Sequence, residues 1–107
     1  MSDHILDTLY RVILDRKACP PENSYTAALM AGGMDKILKK IGEEATEVVI
    51  AGKGGARQEI IYETADLLFH LLVLLGCRDI SPGEVFAELG RRFGVSGIEE
   101  KAARTNS

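Results

Sequence analysis

Residues 34–75 read MDKILKKIGEEATEVVIAGKGGARQEIIYETADLLFHLLVLL, and their periodicity decides the fold. Met34, Ile37, Leu38, Ile41, Ala45 and Val48 recur at three- and four-residue intervals, the period of an α-helix with one apolar face. The pattern predicts a helix from Met34 to about Ala51. Gly52-Lys53-Gly54-Gly55 predicts a turn. A second helix is expected from about Arg57 to Leu75, stopping at Gly76. Ile60, Ile61, Leu67, Leu68, Leu71, Leu72, Leu74 and Leu75 make it apolar on most sides, the composition of a buried helix. A short turn between two long helices makes them antiparallel neighbours.

Outward from this pair, the remaining segments also read as helices. Ile5, Leu6, Leu9, Val12 and Ile13 predict a first helix over residues 3–17, ended by Pro20-Pro21. Ser24 is placed to cap a short helix containing Tyr25 to Ala31, before Gly32-Gly33. Ser81-Pro82-Gly83-Glu84 has the form of a capping box with proline at the first helical position, opening a helix to about Arg92. The tail, residues 94–107, is small and charged and is expected to be loosely held. No segment alternates as a strand would. The expected fold is therefore all-α, four to five helices in one domain spanning 1–107, with two long antiparallel helices in a bundle completed by a partner subunit.

Composition narrows the function. The chain has 107 residues, 46% of them apolar and 27% charged, as in a soluble globular domain. The formal charge of −3 argues against general nucleic-acid binding, which relies on an excess of basic residues. Cys19 and Cys77 lie far apart and form no framework, so both are expected as free thiols. The N-terminal residues have no apolar signal region, and the run from Leu67 to Cys77 is too short to span a membrane. The expected setting is cytoplasmic, with no membrane partner.

The chemistry lies in the carboxylates of the central pair. Glu44 and Glu47 are i,i+3 neighbours on the first helix, and Glu63 and Asp66 are i,i+3 neighbours on the second. Glu59, Glu63, Asp66 and His70 form one narrow stripe on an otherwise apolar helix. Facing stripes would bring like charges together, and such charges repel unless neutralised. Two neutralisers are open: ion pairs with lysine and arginine, or a hard divalent cation with oxygen ligands, for which Mg²⁺ is suited. Zinc is disfavoured because the two histidines and two cysteines have no ligand spacing. There is no phosphate-cradling P-loop, and no Glu-x-x-His repeat of the di-iron kind.

Glu43-Glu44-x-x-Glu47 followed by Glu63-x-x-Asp66 resembles the E-E-x-x-E…E-x-x-D motif of the all-α NTP pyrophosphohydrolases, the MazG-like superfamily. Within it, Ser24-Tyr25-Thr26-Ala27, the string Asp35 to Val48 and the string Glu63 to Leu72 resemble the phosphoribosyl-ATP pyrophosphohydrolase family. The resemblance runs from about Leu6 to Arg92. It implies Mg²⁺-dependent hydrolysis of phosphoribosyl-ATP to phosphoribosyl-AMP and pyrophosphate, in histidine biosynthesis.

On that footing Glu44, Glu47, Glu63 and Asp66 are expected to hold the metal, and Glu43 or Glu44 to orient and deprotonate the attacking water. Lys36 and Lys40 share the Glu47 side of their helix and are expected to contact phosphate. Ser24, Tyr25 and Thr26 are matched by the resemblance and would touch substrate or cap their helix. His70, one turn beyond Asp66, reads as a hydrogen-bonded core histidine more readily than as a ligand. Two helices do not enclose so large a nucleotide, so a homodimer or dimer-based oligomer is expected, with sites near the interface. Two other readings compete. One is a house-cleaning pyrophosphohydrolase acting on NTPs or dNTPs; the other is a non-catalytic helical dimerisation module.

Overall fold

Apolar residues at helical spacing dominate this chain, and its described residues form five helices. The computed structural model describes residues 2–19 and 22–94, with side chains from residue 5 onward. The Pro20-Pro21 break and the tail expected to be loosely held, beyond Gly94, lie outside the described residues. The elements are α1 (Ser2–Ala18), α2 (Tyr25–Ala31), α3 (Met34–Gly54), α4 (Arg57–Cys77) and α5 (Pro82–Phe93). Among the described residues there is no strand.

The central hairpin is α3 against α4. Each has 21 residues, a length of about 31 Å at the α-helical rise. α3 runs further than its glycines suggest, to Gly54. It ends where Gly55 takes φ +83° and its N–H donates to the Ala51 carbonyl, a left-handed cap that glycine adopts without steric cost.

α4 likewise passes through Gly76, the glycine expected to stop it. Gly76 instead lets α1 come close: a Cβ there would lie 2.9 Å from Cγ2 of Ile13. The helix ends one residue later, at Cys77. Asp79 takes φ +56°, Ile80 N–H donates to the Leu75 carbonyl at 3.0 Å, and Asp79 N–H to that of Gly76. Lys17 braces this end from α1, donating to the Gly76 carbonyl at 3.0 Å and to Asp79 at 3.1 Å.

The core joins four helices: Tyr10 and Ile13 of α1, Leu29 of α2, Ile37 of α3, and Leu72 and Val73 of α4. α2 is short but firmly started. Ser24 accepts a hydrogen bond from the Ala27 N–H at 3.1 Å and another from Arg16 at 3.3 Å. α5 opens on the predicted capping box, with Ser81 N–H donating to the Glu84 carboxylate at 2.9 Å.

Much apolar surface stays uncovered, including Val49 and Ile50 on α3 and Ile61, Tyr62 and Leu68 on α4. By length and composition α4 could cross a membrane. It instead packs against α1, α2 and α3 and turns two carboxylates toward α3.

Candidate metal centre

The antiparallel hairpin sets the carboxylates of α3 opposite those of α4. Glu44 is buried, an unusual state for a glutamate, and Asp66 is partly buried across from it. Glu44, Asp66 and His70 each bring one polar atom within 4.8 Å of the others, a spacing that could hold a metal ion.

The charges in this cluster act strongly on one another. Burial raises the Asp66 carboxyl above its ordinary value, and Glu44 beside it raises it further. Glu44 is lowered, chiefly by its hydrogen bond with Asp66 and then by Lys40. Of the two, Glu44 therefore keeps its negative charge more readily and Asp66 takes up a proton more readily. Glu63 is also raised, by loss of solvent and then by repulsion from Glu47, Glu44, Asp66 and Glu59. The four carboxylates therefore share one field, although Glu47 itself is exposed.

One cation reaches the cluster from α3. Lys40 Nζ lies 3.2 Å from Glu44 and 3.9 Å from Glu43, so Lys40 bridges the rim and the buried acid. Hydrogen bonding to Glu44 keeps the Lys40 ammonium above its usual range. Glu43 is half-exposed and is linked to the group through Lys40. Lys36 is exposed and lays its stem over Gly32, where an added Cβ would meet it. Ser24 is occupied as the α2 cap, and Thr26 is buried.

Tyr25 and His70 form a second layer behind Asp66. The Tyr25 hydroxyl lies 2.9 Å from His70 Nε2, and His70 Nδ1 lies 2.8 Å from the Asp66 backbone carbonyl. A carbonyl only accepts, so Nδ1 carries the proton and Nε2 accepts from Tyr25. Helical period puts His70 on the acidic stripe. Its link to Tyr25 spans 45 residues and has no local sequence signal.

The raised groups make a stability prediction with a definite sign. A carboxyl whose folded pKa exceeds its unfolded value contributes stability at low pH and loses it as pH rises through the folded value. Asp66 and Glu63 are of this kind. Glu44 has the opposite sign, its contribution being lost only as pH falls below the ordinary carboxylate range. Glu88, held down to about 2 by Arg91 and Arg92, stays ionised throughout a moderate pH range. In chelator, Asp66 and Glu63 should thus lower the melting temperature as pH rises above the ordinary carboxylate range. A divalent cation should raise it more at the upper end. Thermal melts of the parent and of an Asp66→Asn, Glu63→Gln double variant check this. The variant should lose both the pH-dependent component and the metal response.

Comparison with known proteins gives a consistent set of relatives. A family model described as phosphoribosyl-ATP pyrophosphohydrolase matches residues 6–93. The chain is 73% identical to a phosphoribosyl-ATP pyrophosphatase of Geotalea daltonii, over 97% of this chain and 98% of the relative. It is 69% identical to the protein of that name from Geobacter sulfurreducens, over 95% and 94% of the two chains. It is 55% identical to the one from Methylococcus capsulatus, over 94% and 95%.

Proposed function

Because the chain belongs to the phosphoribosyl-ATP pyrophosphohydrolase family, we propose that it hydrolyses phosphoribosyl-ATP to phosphoribosyl-AMP and pyrophosphate, the second step of histidine biosynthesis. One all-α domain does this work, in the cytoplasm. The observation that carries the reading is the carboxylate field between α3 and α4, in a chain whose relatives bear that activity in their name.

The donor set suits Mg²⁺. It consists of carboxylate oxygens, which hard cations prefer, and its members repel one another when nothing else neutralises them. Glu44, Glu47, Glu63 and Asp66 would hold the ion. When bound, Mg²⁺ supplies neutralisation of phosphate charge and polarisation of the phosphoryl oxygens.

The chain's own groups do the rest. Glu44, kept anionic by Asp66 and Lys40, orients the attacking water, and Glu43 on the rim is the alternative acceptor for its proton. The water oxygen bonds to the α-phosphorus, the α–β phosphoanhydride bond breaks, and pyrophosphate leaves. Lys40 turns from its carboxylates toward the incoming triphosphate, with Lys36 farther along the same helix. Ser24 and Thr26 support the substrate side chiefly by starting and anchoring α2.

A homodimer or dimer-based oligomer completes the bundle. Val49, Ile50, Ile61 and Tyr62 near the hairpin tip are exposed, and only 22% of the most apolar window of α4 consists of residues buried within its own chain. The Cα radius of gyration, 16.4 Å, also exceeds the roughly 13 Å usual for a compact chain of this length. Sedimentation of a fully active monomer would contradict this assembly. Substrate class is tested by pyrophosphate release from phosphoribosyl-ATP, ATP and the dNTPs side by side. Phosphoribosyl-ATP should be turned over fastest. Equal or faster turnover of ordinary nucleotides would favour a house-cleaning role instead.

A further inference from the structure

We infer that Tyr25 is a positioning residue: acting through His70, it fixes Asp66 and so tunes how tightly the α3–α4 carboxylates hold a cation. The inference rests on the reading of those carboxylates as cation ligands given above.

His70 is 2% exposed, and both ring nitrogens are engaged. Nδ1–H donates to the Asp66 backbone carbonyl at 2.8 Å and also lies 3.4 Å from Asp66 Oδ1. The single lone pair of the ring, on Nε2, is taken by the Tyr25 hydroxyl at 2.9 Å. His70 therefore cannot donate to a cation without releasing Tyr25, although it lies within ligand distance of Glu44 and Asp66. Its geometry suits holding a ligand in place.

The ring has little freedom to turn. Tyr25 and Phe69 both meet it edge-on, with centroids 5.9 Å and 5.2 Å away. Rotation of the imidazole by half a turn would put carbons where both hydrogen bonds now form. The Asp66 carbonyl sets the Nδ1–H form, and the Tyr25 hydroxyl is the partner of the Nε2 lone pair that this form leaves. Without that hydroxyl a buried acceptor is left unpaired, and relieving it by turning the ring or by moving the proton to Nε2 takes the donor away from Asp66. Tyr25 thus ties α2 to α4, and the seven-residue α2 is held in place by the Ser24 cap and buried Leu29.

The test uses the full chain and Mn²⁺ as the probe, with three readouts: Mn²⁺ affinity, the separate kcat and KM for phosphoribosyl-ATP, and melting in chelator. Tyr25→Phe removes one hydroxyl and keeps the ring. It should weaken Mn²⁺ affinity about tenfold and lower kcat by a similar factor. KM should stay within about twofold. His70→Asn keeps a donor near the Nδ1 position and removes the Nε2 acceptor. In that background Tyr25→Phe should change Mn²⁺ affinity no further. A raised KM with unchanged Mn²⁺ affinity would make Tyr25 a substrate contact and overturn the inference. So would Tyr25→Phe binding Mn²⁺ as the parent does. If the parent itself does not bind Mn²⁺, the cation-site reading falls too, so the two failures are distinguishable.

Discussion

Asp66→Asn is expected to lower turnover of phosphoribosyl-ATP by about 10²–10³-fold while leaving the metal-free protein as stable as the parent, or more so. The substitution keeps the shape of the side chain and removes its charge. In the metal-free protein that charge is a burden: burial and Glu44 both push the Asp66 carboxyl toward its protonated form. The asparagine amide can donate to the Glu44 carboxylate, and His70 still donates to the backbone carbonyl of residue 66. On the proposed function the same charge is needed in the working enzyme, because a cation held by fewer anionic oxygens neutralises less of the phosphate charge. Activity and stability should therefore move apart. Steady-state rates at saturating Mg²⁺, with melts in chelator, measure both. Parent-like turnover would remove Asp66 from the cation site. A large drop in chelated stability would show that its charge supports the fold.

Ile13→Ala should give the largest loss of stability, about 2–5 kcal/mol. Ile13 is 0% exposed and packs with Tyr10, Leu29, Leu72 and Val73. Its Cγ2 also fills the notch left by the missing side chain at Gly76. Truncation would empty the point where α1 meets α4, and neighbouring backbone in two long helices relaxes little. A domain of this size has only about 5–15 kcal/mol in total. A melting temperature lowered by about 4–8 °C per kcal/mol is expected. Denaturant titrations at fixed protein concentration, since assembly contributes to stability, should show a lower midpoint with an unchanged slope. A loss below about 1 kcal/mol would mean that α1 contributes little to the core.

The helices were legible because their signals are local. Ser24 as a cap and the Ser81–Glu84 box act within one turn, and both are where the sequence puts them. At two places marked by glycine, sequence and structure part for one reason. Gly52 and Gly54 predict a turn and Gly76 a stop, yet all three lie within helices. Glycine is a weak breaker when tertiary contacts favour helix, and Gly76 is used for close packing with a residue 63 positions earlier (76 − 13). The true stop after α4 is a left-handed aspartate, Asp79, which no glycine marks.

The i,i+3 spacing of the carboxylates was legible, and of the four expected to hold a metal the structure gathers Glu44 and Asp66, together with His70. Burial of Glu44 against Asp66 was not legible, because it depends on how the hairpin closes. The Tyr25–His70 contact was likewise hidden, since it needs α2 docked against α4.

The most direct test of the central claim is pyrophosphate release from phosphoribosyl-ATP by the full chain, first in excess chelator and then after Mg²⁺ is restored. Release that is negligible in chelator and recovers with Mg²⁺, in step with phosphoribosyl-AMP formation, is the predicted result. Equal rates in both conditions would contradict the cation-centred account, and no release in either would contradict the activity itself.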